Sequence, residues 1–272
     1  MPDKHYVVMF SGGIGSYWAA RRIIEAHGAD AVTLLFSDVK GDSTDPHVGE
    51  DEDNYRFIAD AVEDLGARYV RVADGRTIWD VFKDKRFLGN ARQANCSHLL
   101  KQAPARKWLN ENTTPENTVI VIGIDWSETH RRPAIRSAYE PYAVEFPMCD
   151  EPFWDKERMI AEGRARGLEP PRLYSYGFAH ANCGGGCVRS GQGQFKLLLD
   201  AMPERFAVWE QNEASLREYL DKDVAILRDR RGGTSTPMTL TQLRAREAGS
   251  IDMFDLGGCG CFVDERPVEE SE

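Results

Sequence analysis

The stretch His5-Tyr6-Val7-Val8-Met9-Phe10-Ser11-Gly12-Gly13-Ile14-Gly15-Ser16 decides the fold. Its apolar run is too short for a buried helix and stops abruptly at small residues, which is the pattern of a buried strand meeting a turn. A helix is expected from about Ser16 to His27, ending near Gly28. Further along, Ala31 to Ser37 reads as a second buried strand. An acidic loop and a helix from about Glu50 to Leu65, closed by Gly66, follow it. Tyr69 to Ala73 gives a third strand and Val119 to Ile124 a fourth. Short apolar strands alternating with helices specify βαβ units, so the expected fold class is α/β, a doubly wound parallel sheet covered on both faces.

Past Pro147 the pattern changes. Phe153 to Arg166 reads as a helix, and Pro170-Pro171 breaks the chain. A glycine- and cysteine-rich loop (Asn182 to Val188) precedes two helices between Gly191 and Leu220, and the tail carries Gly257-Gly258-Cys259-Gly260-Cys261. There is no internal repeat, and Arg266 to Glu272 form an acidic end expected to fray. The expected organisation is a nucleotide-type domain over 1–150 and a smaller, mostly helical, cysteine-bearing part over 151–272, packed on it.

The chain of 272 residues has a formal charge of −10 and a pI near 5.2. That balance argues against long duplex DNA as a partner, since phosphate neutralisation needs a basic face. Local basic grooves are still available at Arg131, Arg132 and Arg136, and at Arg228, Arg230 and Arg231. No apolar run approaches the roughly 18 residues of a membrane span, and the start of the chain shows no secretory pattern. A cytoplasmic location is expected, in which the six cysteines are thiols or metal ligands rather than disulfides.

Between a strand and a helix start, Ser11 to Ser16 leave successive backbone N–H groups unobstructed. The helix dipole adds positive charge, making a cradle suited to a pyrophosphate. The plain alternative is an ordinary strand-to-helix turn with a Ser cap. A Walker A loop is excluded because no Lys follows, and a dinucleotide fingerprint because Trp18 stands where Gly or Ala is required. What remains is the PP-loop pattern Ser-Gly-Gly-x-Asp-Ser, which the chain resembles at five of six positions, with Gly15 in place of the Asp.

The resemblance extends along the chain. Phe36-Ser37-Asp38 ends the second strand where PP-loop and related adenine-nucleotide α-hydrolase folds hold adenine and ribose. Asn95-Cys96-Ser97, with Lys101 and Trp108 downstream, resembles the cysteine-containing helix start of the phosphoadenylyl-sulfate reductase group. Gly123-Ile124-Asp125-Trp126-Ser127-Glu128, followed by His130-Arg131, closes the fourth strand where that group places substrate and phosphate contacts. The whole chain resembles bacterial and phage proteins of the reductase-like group. The resemblance implies ATP on Ser11, Gly12, Gly13, Ile14, Gly15 and Ser16, with Phe36, Asp38 and Gly123 completing the nucleotide contacts.

Two chemistries surround this frame. Asp125 and Glu128 are the expected Mg²⁺ or catalytic carboxylates and Arg131 the phosphate partner. The plain alternative is a solvated face with i,i+3 ion pairs. Cys183 and Cys187 are separated by three glycines and Cys259 and Cys261 by one, so each pair can aim both sulfurs at one centre. With Cys96 they make five candidate ligands for a 4Fe-4S cluster or, alternatively, zinc. The lean towards iron–sulfur rests on resemblance to iron–sulfur reductases and thiolating PP-loop enzymes. Cys149 reads as a buried thiol and Glu50 to Asp53 as the charged start of a helix.

The function this implies is an ATP pyrophosphatase that adenylates a small molecule or a tRNA, with a sulfur donor and an oligomeric assembly among the expected partners. The alternatives are a sulfonucleotide reductase, which lacks here its Glu-Cys-Gly-x-His segment, and a nucleotide-sensing module without chemistry.

Overall fold

The computed structural model describes residues 4–246, so Cys259, Cys261 and the acidic end lie outside the described residues. Strand β1 (His5–Met9) leads into helix α1 (Ile14–His27), then β2 (Val32–Asp38), α2 (Glu52–Leu65), β3 (Arg68–Ala73) and α3 (Ile78–Asp84). A π-helical turn at Ser97–Gln102 runs into α4 (Ala103–Asn112), followed by β4 (Thr118–Val121), a 3-10 turn at Trp126–Arg131, α5 (Arg132–Tyr139) and β5 (Ala143–Glu145). The five strands pair in parallel in the order β3-β2-β1-β4-β5. Every residue of β2 is buried, as expected for a strand covered on both faces. The doubly wound parallel α/β fold is therefore the fold observed.

The faces follow from the two-residue period of the strands. Tyr6, Val8, Leu34, Phe36, Val119 and Val121 point to one side, where α1 and α2 cover them with Ile14, Tyr17, Phe57, Ile58 and Ala61. Val7, Met9, Leu35 and Ile120 point to the other, under Ala105 and Leu109 of α4 and Ile135 and Tyr139 of α5. After β3 the chain crosses from one edge to the far side of β1. The helices that follow β1 and β4, α1 and α5, thus lie on opposite faces. In such sheets this switch in strand order opens a crevice at the carboxyl ends of the strands.

The rest of the chain wraps this layer. Helix α6 (Lys156–Ala165) and α7 (Arg172–Ser175) come first, then α8 (Gln192–Ala201) and α9 (Pro203–Leu220). A hairpin of β6 (Leu227–Asp229) and β7 (Thr236–Met238) and helix α10 (Leu240–Ala245) end the described chain. Met159 and Leu168 belong to the core under α1, and the Trp18 indole donates to the Met159 carbonyl at 2.8 Å. Phe195, Phe206, Trp209 and Leu216 share another core with Val39, Ile78, Trp79 and Phe82. Residues from both sides of position 150 therefore build two of the three cores. Inside this region the buried Glu213 carboxylate accepts the N–H groups of Ile226 and Leu240, at 2.9 and 2.6 Å, pinning the chain at both ends of the hairpin. Burial pushes its pKa up.

Strand β4 ends at Val121, short of the expected Ile124. Strand β5, helices α3, α5 and α10 and the hairpin had no distinct signal, since each is eight residues or fewer.

Candidate active site

The loop after β1 is shaped by what presses on it. Gly12 sits at φ 73°, and a β-carbon there would lie 2.7 Å from the Ile58 side chain and 3.0 Å from Asn54 Nδ2. Gly13 caps α1 in extended conformation with no side-chain cap bond, and its own N–H donates to the Ser11 hydroxyl at 3.4 Å. The Ser16 hydroxyl donates to the Gly13 carbonyl at 2.8 Å and, with Ser11 at 3.3 Å, closes the turn on itself. Helix starts of this form attract anions through their N–H groups and dipole. Of those groups the Ile14 N–H donates to the Tyr174 hydroxyl of α7, at 3.2 Å. Burial pushes the Tyr174 pKa up to about 12, so the phenol keeps its proton at neutral pH.

The same geometry accounts for Gly15. A β-carbon on Gly15 would stand 2.7 Å from the Gly123 carbonyl oxygen, and one on Gly123 would stand 2.7 Å from the Ser16 α-carbon. The chain leaving β4 crosses the first turn of α1 backbone against backbone. An Asp at position 15 would not fit this crossing. Gly123 thus lies against the β1–α1 loop through close approach of its backbone.

At the end of β2, Phe36 is 1% exposed and belongs to the core, stacked edge-on to Tyr55 at 6.3 Å. Asp38 is buried; its Oδ1 accepts from the Lys40 N–H at 2.9 Å and the Tyr55 hydroxyl at 2.7 Å, and it pairs with Arg71. Burial, with Asp38 beside it, pushes the Tyr55 pKa well above its ordinary value. Asp51 caps α2 through the Asp53 N–H at 3.1 Å. Arg172 holds it with two bonds of 2.9 and 2.8 Å, and the fully buried Arg205 stands 3.6 Å away. Arg205 also donates to the carbonyls of Pro46, His47 and Gly49, fastening the loop before α2. Burial pulls the Arg205 pKa down, against the raising effect of Asp51 and Glu50. Glu50 meets Lys101 at 3.2 Å with both side chains buried, a pair whose disruption costs about 3–5 kcal/mol. The acidic run expected as a helix start is thus partly inside the molecule.

After β4, Asp125 caps the 3-10 turn: its Oδ1 accepts from the N–H and hydroxyl of Ser127, leaving Oδ2 outside both bonds. Glu128 pairs with Arg131 at i,i+3. The Cys149 thiol, 3.5 and 3.3 Å from the Ile124 and Asp125 carbonyls, fixes this segment from below. Burial pushes its pKa up to about 11, which fits the buried thiol read from the sequence.

Three of the five candidate cysteine ligands border the same cavity. Cys96, Cys183 and Cys187 line it with Lys101, Val39 and Trp209. Its volume of about 10 Å³ is room for about one water. No group of three or more His, Cys, Asp or Glu side chains among the described residues is already spaced to hold a metal ion. Cys183 (φ 53°), Gly184 and Gly185 are all left-handed. Arg205, Phe178 and Trp209 crowd Gly184, Gly185 and Gly186 at 2.1, 2.7 and 2.4 Å from where β-carbons would be. A non-glycine residue held at positive φ is strained, and here the strain lies at a thiol facing the cavity.

Sequence reading missed Asn54, Tyr174, the Lys101–Glu50 pair and the exposed aromatic pair Trp126 and Phe153, 6.3 Å apart. Asn54 had a signal: with Phe57, Ile58, Ala61 and Leu65 it falls on the buried stripe of α2. Both its amide atoms lack a hydrogen-bond partner among the described residues, although the side chain is fully buried. Such a group costs about 1–3 kcal/mol.

A parallel α/β sheet with a glycine loop at its switch point defines the class of this fold. No protein-family model matches the chain, and no curated protein does. Among solved structures it is similar to the phosphoadenylyl-sulfate reductase from Candida auris in a phosphate complex. The alignment has 13% identity and TM-score 0.42, over 65% of this chain and 79% of that one. It is also similar to the NH3-dependent NAD synthetase from Campylobacter jejuni, at 14% identity and TM-score 0.42, over 82% and 86%. The U34-tRNA thiolase NcsA from Methanococcus maripaludis, with its 4Fe-4S cluster, aligns at 12% identity and TM-score 0.42, over 79% and 72%. At these values the fold class rests on this chain's own strand order and loop. Among the described residues no helix is long and apolar enough to cross a membrane.

Proposed function

We propose that this chain is a PP-loop-type ATP pyrophosphatase that adenylates a substrate. The observation that carries the reading is the α1 start: a glycine-capped turn with no side-chain cap, at the switch point of a parallel sheet, flanked by Gly123 from the next strand. Ser11 to Ser16 would hold the β- and γ-phosphates, and the end of β2 at Phe36 and Asp38 the nucleoside. A substrate oxygen attacks the α-phosphorus. The bond from that phosphorus to the bridging oxygen breaks, and pyrophosphate leaves with the electron pair. A sulfur or nitrogen nucleophile from a donor then displaces AMP.

Asp125 Oδ2 and Glu128 are the carboxylates that would hold Mg²⁺, which neutralises charge on the phosphates, and Arg131 would face the same charge. The soft donors Cys96, Cys183 and Cys187 suit iron or zinc, with Cys259 or Cys261 as further ligands. The cavity they line would have to open for a 4Fe-4S cluster to enter. A centre there would supply a sulfur-carrying site or a staple between distant segments. Candidate acceptors are small carboxylates, amides and tRNA. The test is product analysis after incubation with ATP, Mg²⁺ and those acceptors. AMP and pyrophosphate are expected; ADP and orthophosphate as the main products would refute the reading.

A further inference from the structure

The β1–α1 loop is bracketed by two uncharged polar side chains from distant parts of the chain. On one side is Asn54, in the first turn of α2, where its N–H bonds the Asp51 carbonyl at 2.9 Å. Its side chain is 0% exposed and lies against Gly12, so close that a β-carbon there would come 3.0 Å from Nδ2. On the other side is Tyr174, whose hydroxyl oxygen takes the Ile14 N–H.

An asparagine amide has two N–H donors and a two-lone-pair acceptor, and here none of that capacity is used among the described residues. The neighbouring stripe positions are Phe57, Ile58 and Ala61. A leucine, with the same heavy-atom count and branching, would suit the position better if folding were all that mattered. A polar side chain that is fully buried and unsatisfied needs an explanation, and one set against the Gly12 turn at a helix start points to a ligand.

We infer that Asn54 and Tyr174 are phosphate-binding residues: Asn54 Nδ2 donates to an oxygen of the pyrophosphate seated in the Gly12–Ile14 turn. The Tyr174 hydroxyl turns its proton to the same group, and the Ile14 N–H passes from the phenol to the ligand. With no Lys in the loop, these neutral donors take the part that a lysine plays elsewhere. The inference rests on the proposed nucleotide site and names further residues that read its phosphates.

The test is calorimetric titration of ATP and of inorganic pyrophosphate into the full chain and two variants, beside thermal melts without ligand. Asn54→Leu should melt at or above the wild type, because it removes an unsatisfied polar group. It should bind both ligands about tenfold or more weakly, as expected for losing a hydrogen bond to a charged group. Tyr174→Phe should weaken both by several-fold and hold its melting point. Unchanged affinity in a folded Asn54→Leu overturns the inference and leaves the nucleotide site standing. If Asn54→Leu does not fold, unchanged pyrophosphate affinity in Tyr174→Phe overturns it instead. A wild type that binds neither ligand overturns the proposed function as well.

Discussion

Two glycine loops in this molecule look alike in sequence and are built for different ends. At Ser11–Ser16 Gly12 lies against the Ile58 side chain, and the remaining neighbours are polar or backbone groups: the Asn54 amide, the Tyr174 hydroxyl and the Gly123 carbonyl. At Cys183–Cys187 they face bulk: the Arg205 guanidinium and the Phe178 and Trp209 rings. The first loop keeps hydrogen-bonding groups close around a helix start whose cap residue, Gly13, has no side chain. The second lets a strained turn sink into the core so that two thiols reach a cavity shared with Cys96. Glycine in the first admits a backbone crossing and polar neighbours at a helix start, and in the second close packing against large side chains.

The comparison breaks most easily at Gly184. Its β-carbon would lie 2.1 Å from Arg205 Nη1, and Arg205 has no room to yield while it fastens residues 46–50. Gly184→Ala should destabilise by about 2–5 kcal/mol, from overpacking plus positive-φ strain, read as a lower urea midpoint at unchanged slope. A loss under about 1 kcal/mol would show that the second loop is not packed as described.

Gly15→Asp restores the residue of the PP-loop pattern and should not restore a role to it. Collision with the Gly123 carbonyl should cost about 1–3 kcal/mol and weaken ATP binding. Tighter ATP binding by this variant would mean that the first loop has space it does not show.

Replacing both Cys183 and Cys187 by Ser should remove bound iron or zinc from anaerobically purified protein, measured by metal analysis, and lower its melting temperature. Full metal content in the double variant would remove the second loop from any metal role.

The smallest effect concerns Cys149, which belongs to neither loop and carries a pKa raised by burial to about 11. The folded state holds that proton more tightly than an unfolded thiol near 8.5. The resulting stability is full below about pH 8.5 and is lost as the pH rises towards 11. Cys149→Ala should therefore flatten the alkaline arm of stability against pH. At pH 8, iodoacetamide should label the partly exposed Cys183 well before Cys149. An alkaline arm identical in wild type and variant would contradict the buried-thiol assignment.

How legible each region was follows from how local its physics is. The β1–α1 unit was readable because its strand, turn and helix start are contiguous, and their periodicities need no knowledge of neighbours. The reason for Gly15 was not, since it lies in a backbone crossing 108 residues away, at Gly123. Cys183 and Cys187 declared themselves by spacing, but the cavity they share with Cys96 is set by the packing of segments distant in sequence. Asn54 was within reach, as a polar residue on an apolar stripe. Tyr174 was not, because α7 is a four-residue helix that carries no periodic signal.

The central claim is that the turn at Gly12–Ile14 holds the phosphates of ATP. Calorimetric titration of ATP into wild type and Gly13→Val tests it most directly, since a β-carbon at Gly13 already approaches the Tyr174 hydroxyl to 3.1 Å and valine adds two methyl groups beyond it. Binding by the wild type and its loss in a folded variant is the expected result. Equal affinity in the two proteins would contradict the account.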